Sequence, residues 1–580
     1  MMKLSPKEKS LEKSQISPED AILKHVLKNA YEFGSVNDKV VLGLVLRENP
    51  ELKKDVPNVL KEINKVIEEV SKLSKEEIKS KLEKIAPELL KEKKEEIKGP
   101  LKALPNAEEG KMVFRIAPSP TGPLHIGHAY GASLNYEYCK MYKGKFIVRI
   151  EDTNPEKIFE PGYKMIEEDA NWLSDNNVSE VIIQSSRLGI YYDYAEKLVD
   201  MGKAYVCECD ADKFREMKAK SEECPCRNLE VKEQQLRYAK MFNEYAEGEA
   251  VLRLKTDIKD KNPAMRDFAL LRINEHVHPK TGKESRVWPL MVLSVAIDDH
   301  ENGLTHVLNG KDQADNAKKE SLIMGYLGWK PPIYKHWGFI NFIDLQISKS
   351  KTKLAIEQGQ FEGWDDIRLP YLAALKRRGY QAGAFRRYAL EIGLSLNDKT
   401  VSKEEFWKSI NSFNKEIIEP KANRFFFVDR PHRVKIEHAP AEKVLLDLHP
   451  DFPNRGKREL LVEGDVYISI NDYEKLENGK VHRLMDYCNF KIENSKWIFV
   501  SESYEDFKNS ENKGMIIHWL PANDTVKVEV LQEDNKLIKG LGEKSMLKLN
   551  VGDIVQLERR YFARLDKKEN DKLIFWYLHK

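Results

Sequence analysis

Long apolar runs and charge of one sign are both missing from this sequence. It contains no run of the roughly eighteen apolar residues that a membrane-spanning helix requires, and its N-terminus is polar and charged. We therefore expect no membrane partner, no secretory signal and a cytoplasmic location. The 96 Lys and Arg residues nearly balance the 94 Asp and Glu residues, which leaves a formal net charge of +2. This balance gives no global basic field for nucleic acid, although clustered basic residues would still be compatible with RNA binding.

Cysteine is scarce, with six residues in 580. Four of them form two close pairs, Cys207-x-Cys209 and Cys224-Pro-Cys226. Disulfides are disfavoured in a reducing compartment, whereas two thiolate pairs separated by a loop can close a tetrahedral Zn²⁺ site. Four protein ligands would leave no open position for a substrate, so this zinc would be structural. The alternative is a set of buried thiols that holds no metal.

The pattern of predicted helices and strands changes several times along the chain. Apolar residues recur at helical spacing between 57 and 98, and the Lys- and Glu-rich run 91–98 followed by Gly99-Pro100 predicts a linker. From 112 onward strands alternate with helices, which predicts a parallel, Rossmann-like sheet. After about 423 short β-type runs separated by turns predict antiparallel barrels.

These patterns predict a multidomain fold that combines α/β and all-β parts, as expected for a chain of 580 residues. The expected parts are an N-terminal helical appendage (1–105), a Rossmann-like domain (106–345) with an insertion at about 205–290 that carries the cysteine pairs, a helical domain (346–422) and β-barrels (423–580).

The segment 115–128 carries the strongest functional signal. It runs Arg-Ile-Ala-Pro-Ser-Pro-Thr-Gly-Pro-Leu-His-Ile-Gly-His, which predicts a strand, a Pro/Gly turn and the start of a helix. The unpaired N–H groups and the positive dipole of a helix N-terminus attract phosphate. His125 and His128 can add hydrogen bonds to a triphosphate, and Gly127 lets a base or ribose approach the backbone. The alternative is that the histidines only cap the helix.

A second motif, Gln346-Ile347-Ser348-Lys349-Ser350-Lys351, lies far downstream in a segment that we expect to be a loop. Alone, a short basic run is typical of a solvated surface. Together with the upstream His-Ile-Gly-His segment, it resembles the two ATP-binding signatures of class I aminoacyl-tRNA synthetases.

The resemblance extends to a narrower family. Three further runs, at 149–155, 298–300 and 303–307, are similar to those of glutamyl-tRNA synthetases. The predicted β-barrels resemble the archaeal type of this family, because the bacterial type has helical cages at this end. The resemblance covers about residues 110–580.

This resemblance implies ATP-dependent ligation of L-glutamate to the 3′ end of tRNA(Glu) through a glutamyl-adenylate, with Mg²⁺ accompanying ATP. Residues 106–345 would form the catalytic domain, 346–422 would carry an ATP loop, and 423–580 would bind the anticodon. A similar cysteine knuckle occurs in the inserted domain of the family, which favours zinc. tRNA(Gln) is a second candidate substrate. The N-terminal helical segment would either dock a protein partner or extend the RNA-binding surface.

The resemblance also implies roles for individual residues. The ATP-binding residues, of which the two histidines and Lys349 would be catalytic, are His125, Gly127, His128, Ser348, Lys349 and Ser350. The residues that would bind glutamate are Arg115, Ser119, Glu151, Asn309 and Lys311. Arg115 would form a bidentate pair with a substrate carboxylate, and Glu151 would pair with the α-ammonium.

Two positions depart from the family pattern. Met291 aligns with a tyrosine that often contacts the substrate, and Asn309 aligns with an arginine that often binds a substrate carboxylate. If 307–311 is a strand end, Asn309 and Lys311 share a face, and Lys311 would supply part of the missing positive charge. The alternative is that Lys311 faces RNA or solvent.

Other functions remain open at this point. A glutaminyl-tRNA synthetase shares the barrels and both ATP motifs, while a non-catalytic RNA-binding relative is disfavoured by the intact His125, His128 and Lys349. An enzyme that attaches glutamate to a tRNA base is disfavoured by the predicted anticodon-binding region. A basic cluster is either an RNA contact or an ordinary solvated helix face. Its members are Lys376, Arg377, Arg378, Arg386 and Arg387.

Overall fold

The computed structural model describes residues 17–33, 36–86 and 101–580. The chain divides into two compact units, Met1–Gly99 and Pro100–Lys580. No helix within the described residues is long and apolar enough to cross a membrane. The run 91–98, predicted to be a linker, lies outside the described residues.

The first unit is helical over the residues that are described. Its helices are α1 (Pro18–Phe33), α2 (Asp38–Glu48), α3 (Val56–Val70) and α4 (Lys75–Ile85). Helix α1 contacts the other three, and Val26, Val45 and Ile63 are completely buried between the helices. This core follows from the recurrence of apolar residues at helical spacing. Ser74 and Glu77 form a capping box that begins α4.

Strands and helices alternate at the beginning of the second unit. Its first elements are β1 (Val113–Ile116), α5 (Ile126–Met141), β2 (Lys145–Ile150), α6 (Gly162–Leu173), β3 (Glu180–Ile183) and α7 (Leu188–Asp200). The three strands form a parallel sheet in the order β1-β2-β3. Helical crossovers between parallel strands produce this arrangement.

A four-stranded antiparallel sheet interrupts the alternation. Its elements are β4 (Ala204–Cys207), α8 (Ala211–Ala219), α9 (Val231–Met241), β5 (Val251–Leu254), β6 (Ala269–Ile273) and β7 (Val287–Pro289). The strands pair in chain order. His278, between β6 and β7, connects this part to the end of β2, because its Nε2 lies 3.0 Å from the carbonyl oxygen of Asp152.

The parallel strands then resume beside β1. The next elements are α10 (Met291–Glu301), β8 (His306–Gly310), α11 (Ala314–Tyr326) and β9 (Ile333–Trp337), with β8 and β9 paired in parallel. Thr305 joins the two groups of strands: Val113 N donates to Thr305 Oγ1 at 3.0 Å, and Thr305 N donates to Val113 O at 3.3 Å. The spatial order is therefore β3-β2-β1-β8-β9. It changes direction between β1 and β8, where α/β sheets place their ligands.

A mostly helical segment follows and packs against the sheet. Its elements are β10 (Ile340–Phe342), α12 (Lys349–Glu357), α13 (Leu372–Arg378), α14 (Ala382–Ile392), β11 (Lys399–Val401) and α15 (Lys403–Ile418). Helix α14 packs against α5 and α15. Leu124, Phe385 and Ile410 belong to one buried cluster, so this segment shares a hydrophobic core with the start of α5.

The C-terminal part is built from two seven-stranded sheets and a hairpin. Its elements are β12 (Asn423–Phe425), β13 (Phe427–Asp429), β14 (Pro431–Glu437), β15 (Glu442–Asp447), β16 (Lys457–Val462), β17 (Asp465–Ser469), α16 (Ile470–Tyr473), β18 (Val481–Leu484), β19 (Asn489–Glu493), β20 (Lys496–Ser501), α17 (Tyr504–Asn509), β21 (Lys513–Ile517), β22 (Leu520–Pro521), β23 (Thr525–Leu531), β24 (Leu537–Glu543), β25 (Ile554–Leu557), β26 (Tyr561–Glu569) and β27 (Lys572–His579). The sheet orders are β12-β25-β26-β27-β23-β24-β13 and β21-β18-β19-β20-β14-β17-β22.

These sheets differ from the purely antiparallel arrangement that the sequence predicted. The pairs β12–β25, β14–β20, β18–β21 and β23–β27 are parallel. Each of these pairs joins strands that are separated by other elements, so the chain crosses over instead of turning through a hairpin. Alternation and turn residues reveal strands and hairpins, but they do not reveal such crossovers.

Candidate active site

A cavity of about 400 Å³ opens at the carboxyl ends of β1, β2 and β8. The carboxyl ends of parallel strands meet at one edge of a sheet, so residues distant in sequence converge there. The residues singled out in the sequence that line this cavity are Arg115, Ser119, Gly127, His128, Glu151, Met291 and Asn309. His125, Ser348, Lys349, Ser350 and Lys311 are outside this lining. A larger cavity of about 1130 Å³ lies between α5, α6 and α14 and contains neither motif.

The two histidines of the first motif present the same type of hydrogen-bond donor. His125 Nδ1 accepts the N–H of Gly127 at 3.1 Å, and His128 Nδ1 accepts the N–H of His125 at 3.3 Å. Because each Nδ1 is an acceptor, a neutral ring carries its proton on Nε2. Burial, assisted by the nearby Lys349 charge, lowers the pKa of His125 to about 3 and also lowers that of His128. Both imidazoles are therefore neutral, and they cap the helix while offering an Nε2–H donor.

Lys349 connects the second motif to the turn of the first motif. Its Nζ donates to the carbonyl oxygen of Gly122, 227 residues away, at 3.1 Å. The segment expected to be a loop begins α12, because Ser348 Oγ accepts the N–H of Lys351 at 3.4 Å and caps the helix. Burial lowers the pKa of Lys349 to about 8, although the charge of Asp169 opposes this shift. Ser350 is exposed in the first turn of α12.

Asp169 holds the turn that precedes α5. One of its oxygens accepts the N–H of Leu124 at 2.8 Å, and the other lies 2.7 Å from Lys376 Nζ. The side chain is buried, so these contacts take the place of water. The sequence patterns assign no role to this residue. The sequence feature that could have indicated a role for Asp169 is the presence of a charged residue on the otherwise apolar face of α6.

The end of the cavity near Arg115 is dominated by a shared carboxylate. Arg115 Nε and Nη2 donate to the two oxygens of Asp299 at 2.7 and 2.8 Å. Arg149 donates to the same carboxylate at 2.5 Å and to Glu151 at 3.0 Å. Burial raises the pKa of Asp299, but both guanidinium charges outweigh burial and hold it below its usual value. The bidentate edge of Arg115 expected for the substrate is thus engaged by Asp299, which leaves Nη1 outside the pair.

A second carboxylate lies behind the first. Asp298 is fully buried and accepts hydrogen bonds from Gln184 at 2.9 Å, Arg187 at 2.9 Å and Tyr191 at 2.8 Å. In the sequence, the Asp298-Asp299 run contributes only to the family resemblance, and no structural role is predicted for it. Two adjacent acids directly after the apolar run Val295-Ala296-Ile297 are unusual, and this was the available signal.

Asn309 and Lys311 do not share a face. Strand β8 ends at Gly310, and Lys311 lies in a tight helical turn, Lys311–Gln313. Lys311 Nζ is 2.7 Å from Asp398 on the surface, whereas Asn309 Oδ1 lies 2.6 Å from His336 Nδ1. The strand register assumed from the sequence therefore fails because the strand ends one residue too early. Lys311 therefore lies outside the lining of this cavity.

The four paired cysteines converge at the start of the antiparallel sheet. All four sulfurs lie within 4.8 Å of one another, and the Cys207–Cys224 and Cys209–Cys226 Sγ···Sγ distances are 3.8 Å. These distances exclude disulfides, whose sulfurs are about 2.05 Å apart. Four sulfurs at about 2.3 Å from a tetrahedral zinc would be about 3.8 Å apart. The donor set therefore fits a Zn²⁺ ion.

The basic cluster has internal partners. Arg377 forms an ion pair with Asp566 at 2.7 Å, and Arg378 donates to the carbonyl oxygen of Leu578 at 2.8 Å. Lys376, Arg386 and Arg387 pair with acidic residues as well. These contacts connect α13 to β26 and β27, so the cluster acts partly as a structural junction and not as a free basic surface.

Comparisons with known proteins agree with this arrangement. The catalytic-domain model of class I tRNA synthetases (E and Q) matches residues 111–420, and the anticodon-binding models of the same family match 422–503 and 516–566. A glutamate–tRNA ligase of Methanocaldococcus jannaschii is 43% identical over 97% of this chain and all of the relative. Glutamate–tRNA ligases of Pyrococcus furiosus and Thermococcus kodakarensis are 45% and 43% identical, again over 97% of this chain and 100% and 99% of those proteins.

Proposed function

The chain belongs to the class I tRNA synthetases for glutamate and glutamine, and we propose that it ligates L-glutamate to the 3′ end of tRNA(Glu) with cleavage of ATP. The glutamate carboxylate attacks the α-phosphate, which gives glutamyl-adenylate and pyrophosphate. A hydroxyl of the terminal adenosine of tRNA then takes the acyl group and AMP leaves. Similarity to glutamate–tRNA ligases over nearly the full length of the chain carries this function.

The nucleotide is held by the two motifs that meet at Lys349. His125 and His128 donate their Nε2–H groups to phosphate oxygens, and the exposed Gly127 leaves room for the ribose or base. Lys349 neutralises the charge that develops on the phosphate in the transition state, and Ser348 keeps it in the first turn of α12. Mg²⁺ accompanies ATP and screens its phosphate charge.

Glutamate occupies the end of the cavity near Asp299. Glu151 pairs with the α-ammonium, while Ser119 and the free Nη1 of Arg115 offer donors to a carboxylate. Asn309 offers the amino group of its side-chain amide to the substrate, because the amide oxygen faces His336. The pocket therefore relies on hydrogen bonds at the position where the family resemblance implies an arginine.

We place a structural zinc on Cys207, Cys209, Cys224 and Cys226, and the anticodon-binding role on the β-sheets of 423–580. Zinc would hold the two ends of the 207–226 segment together, and its four ligands are outside the lining of the candidate active-site cavity. Metal analysis of chelator-washed protein should find one zinc per chain. The Cys224→Ser/Cys226→Ser variant should lose it, and equal, low zinc in both proteins would remove the metal from the proposal.

Aminoacylation of two purified tRNAs tests the function. The full chain is incubated with ATP and with labelled glutamate or glutamine, using tRNA(Glu) and tRNA(Gln) in separate reactions. Attachment of glutamate to tRNA(Glu) is expected. Preferential attachment of glutamine to tRNA(Gln) would make the chain a glutaminyl enzyme. RNA binding without attachment of either amino acid would favour the non-catalytic alternative.

A further inference from the structure

The cavity contains a carboxyl group that has no role in the steps above. Glu320 lies on α11, is only 4% exposed, and lines the cavity together with Arg115, Glu151 and Asn309. Burying an ionised carboxylate is costly unless opposite charge compensates it. The charges around Glu320 therefore determine its protonation state.

The neighbours of Glu320 come from four different elements. They are Arg115 of β1, Arg149 of β2, Asp299 of α10 and Tyr334 of β9. In the connected charge cluster, three arginines balance three carboxylates before Glu320 is counted. The cluster consists of Arg115, Arg149 and Arg187 with Glu151, Asp298 and Asp299. An ionised Glu320 would add one uncompensated negative charge to this cluster, and Asp312, the other acidic residue of the cavity lining, supplies no opposite charge.

The protonation state of Glu320 follows from this excess of negative charge. Burial and the charge of Asp299 raise its pKa to about 7, although Arg115, Arg149 and the Tyr334 hydroxyl favour the ionised form. A carboxylate that enters the pocket would raise this pKa further, because it adds like charge. Glutamate brings such a carboxylate on its side chain, and glutamine does not.

We propose that Glu320 determines the choice between glutamate and glutamine by carrying a proton when glutamate binds. This inference rests on the proposed function. The protonated carboxyl donates its O–H to the side-chain carboxylate of glutamate, and the proton is taken up from solvent. Ionised Glu320 repels that carboxylate and accepts an N–H from the side-chain amide of glutamine. Glutamate binding is thus coupled to proton uptake, whereas glutamine binding is not.

The ratio of kcat/KM for glutamate to kcat/KM for glutamine tests this coupling. Titration of ATP, tRNA or Lys349 changes kcat/KM for both amino acids by the same factor, so it cancels in the ratio. For a group with a pKa of about 7, the protonated fraction falls about eightfold between roughly pH 6.5 and pH 8, so the ratio should fall by at least this factor. A ratio that does not change with pH would overturn the inference.

Two variants and one binding measurement sharpen the test. Glu320→Gln keeps a neutral donor and should make the ratio independent of pH. Glu137→Gln, at a half-buried carboxyl of the larger cavity whose pKa is also raised, should keep the wild-type fall. Calorimetry of glutamate binding to the wild-type chain near pH 7.5, in buffers of different ionisation enthalpy, should detect proton uptake.

The outcomes separate this inference from the function on which it rests. If neither amino acid is attached at any pH, the proposed function fails. If glutamate is attached with a constant ratio, if no proton is taken up, or if Glu320→Gln retains the wild-type fall, only the role of Glu320 fails.

Discussion

The two ends of the active-site region, to which we assign the nucleotide and the amino acid, are constructed differently. At the nucleotide end, His125 and His128 come from one turn of α5, are neutral, and hydrogen-bond to the backbone of that same turn. At the amino-acid end, charged residues from β1, β2 and α10 meet at Asp299. The nucleotide end uses preorganised dipoles and one buried lysine, whereas the amino-acid end uses a compensated cluster of full charges.

This difference determines how each end responds to a substitution. Preorganised neutral donors can be removed singly at the cost of one interaction with the transition state. Removing one member of a buried charge cluster leaves its partners uncompensated, which affects folding as well as binding.

Asp299→Asn should have the largest effect. The change leaves Arg115 and Arg149 without their shared carboxylate, so we expect a loss of about 3–5 kcal/mol in the free energy of unfolding and of about a thousandfold in kcat/KM for glutamate. Urea unfolding and steady-state kinetics measure the two effects. Asp398→Asn, which removes an exposed partner of Lys311, is the control and should leave both unchanged. A stable, active Asp299→Asn protein would contradict the charge-cluster account.

Lys349→Ala should slow adenylate formation without unfolding the chain. Its charge is needed mainly in the transition state, and the expected loss is about 2–4 kcal/mol, or roughly 30- to 1000-fold in the single-turnover rate constant. The matched control is Lys351→Ala, an exposed lysine in the same helical turn, which should be close to wild type. An unchanged rate constant at saturating ATP would exclude Lys349 from the reaction.

The pH dependence of ATP use should show the titration of Lys349. The pKa of about 8 means that the charged form is present below pH 8 and is lost above it. At saturating glutamate, kcat/KM for ATP should fall about tenfold between about pH 7 and pH 9. Lys349→Arg keeps its charge, so any activity that it retains should not fall in this range. An equal fall in this variant would assign the titration to another group.

Lys311→Ala should have the smallest effect. Because Lys311 pairs with Asp398 and lies outside the cavity lining, we expect the KM for glutamate to change by less than about twofold. Asn309→Ala, in the lining, should raise this KM more. A larger increase for Lys311→Ala would mean that the lysine turns toward the substrate.

The sequence was most informative where structure depends on neighbouring residues. The strand, turn and helix of 113–128 were predictable because Pro, Gly and capping side chains act within a few positions. The spacing of the cysteines also predicted their proximity, and the structure brings the four sulfurs together. The prediction failed at Lys311, where the end of a strand shifted by one residue changes which way a side chain points. It also missed the parallel crossovers of the C-terminal sheets.

The sequence alone determined the two ATP motifs, the alternation of strands and helices and the family to which the chain belongs. The tertiary structure decided how charge is distributed in the site: Arg115 faces Asp299, 184 residues away, and Glu320 is buried beside them. Backbone conformation is biased by residues a few positions apart, whereas desolvation and Coulomb interactions depend on side chains that only the folded chain brings together.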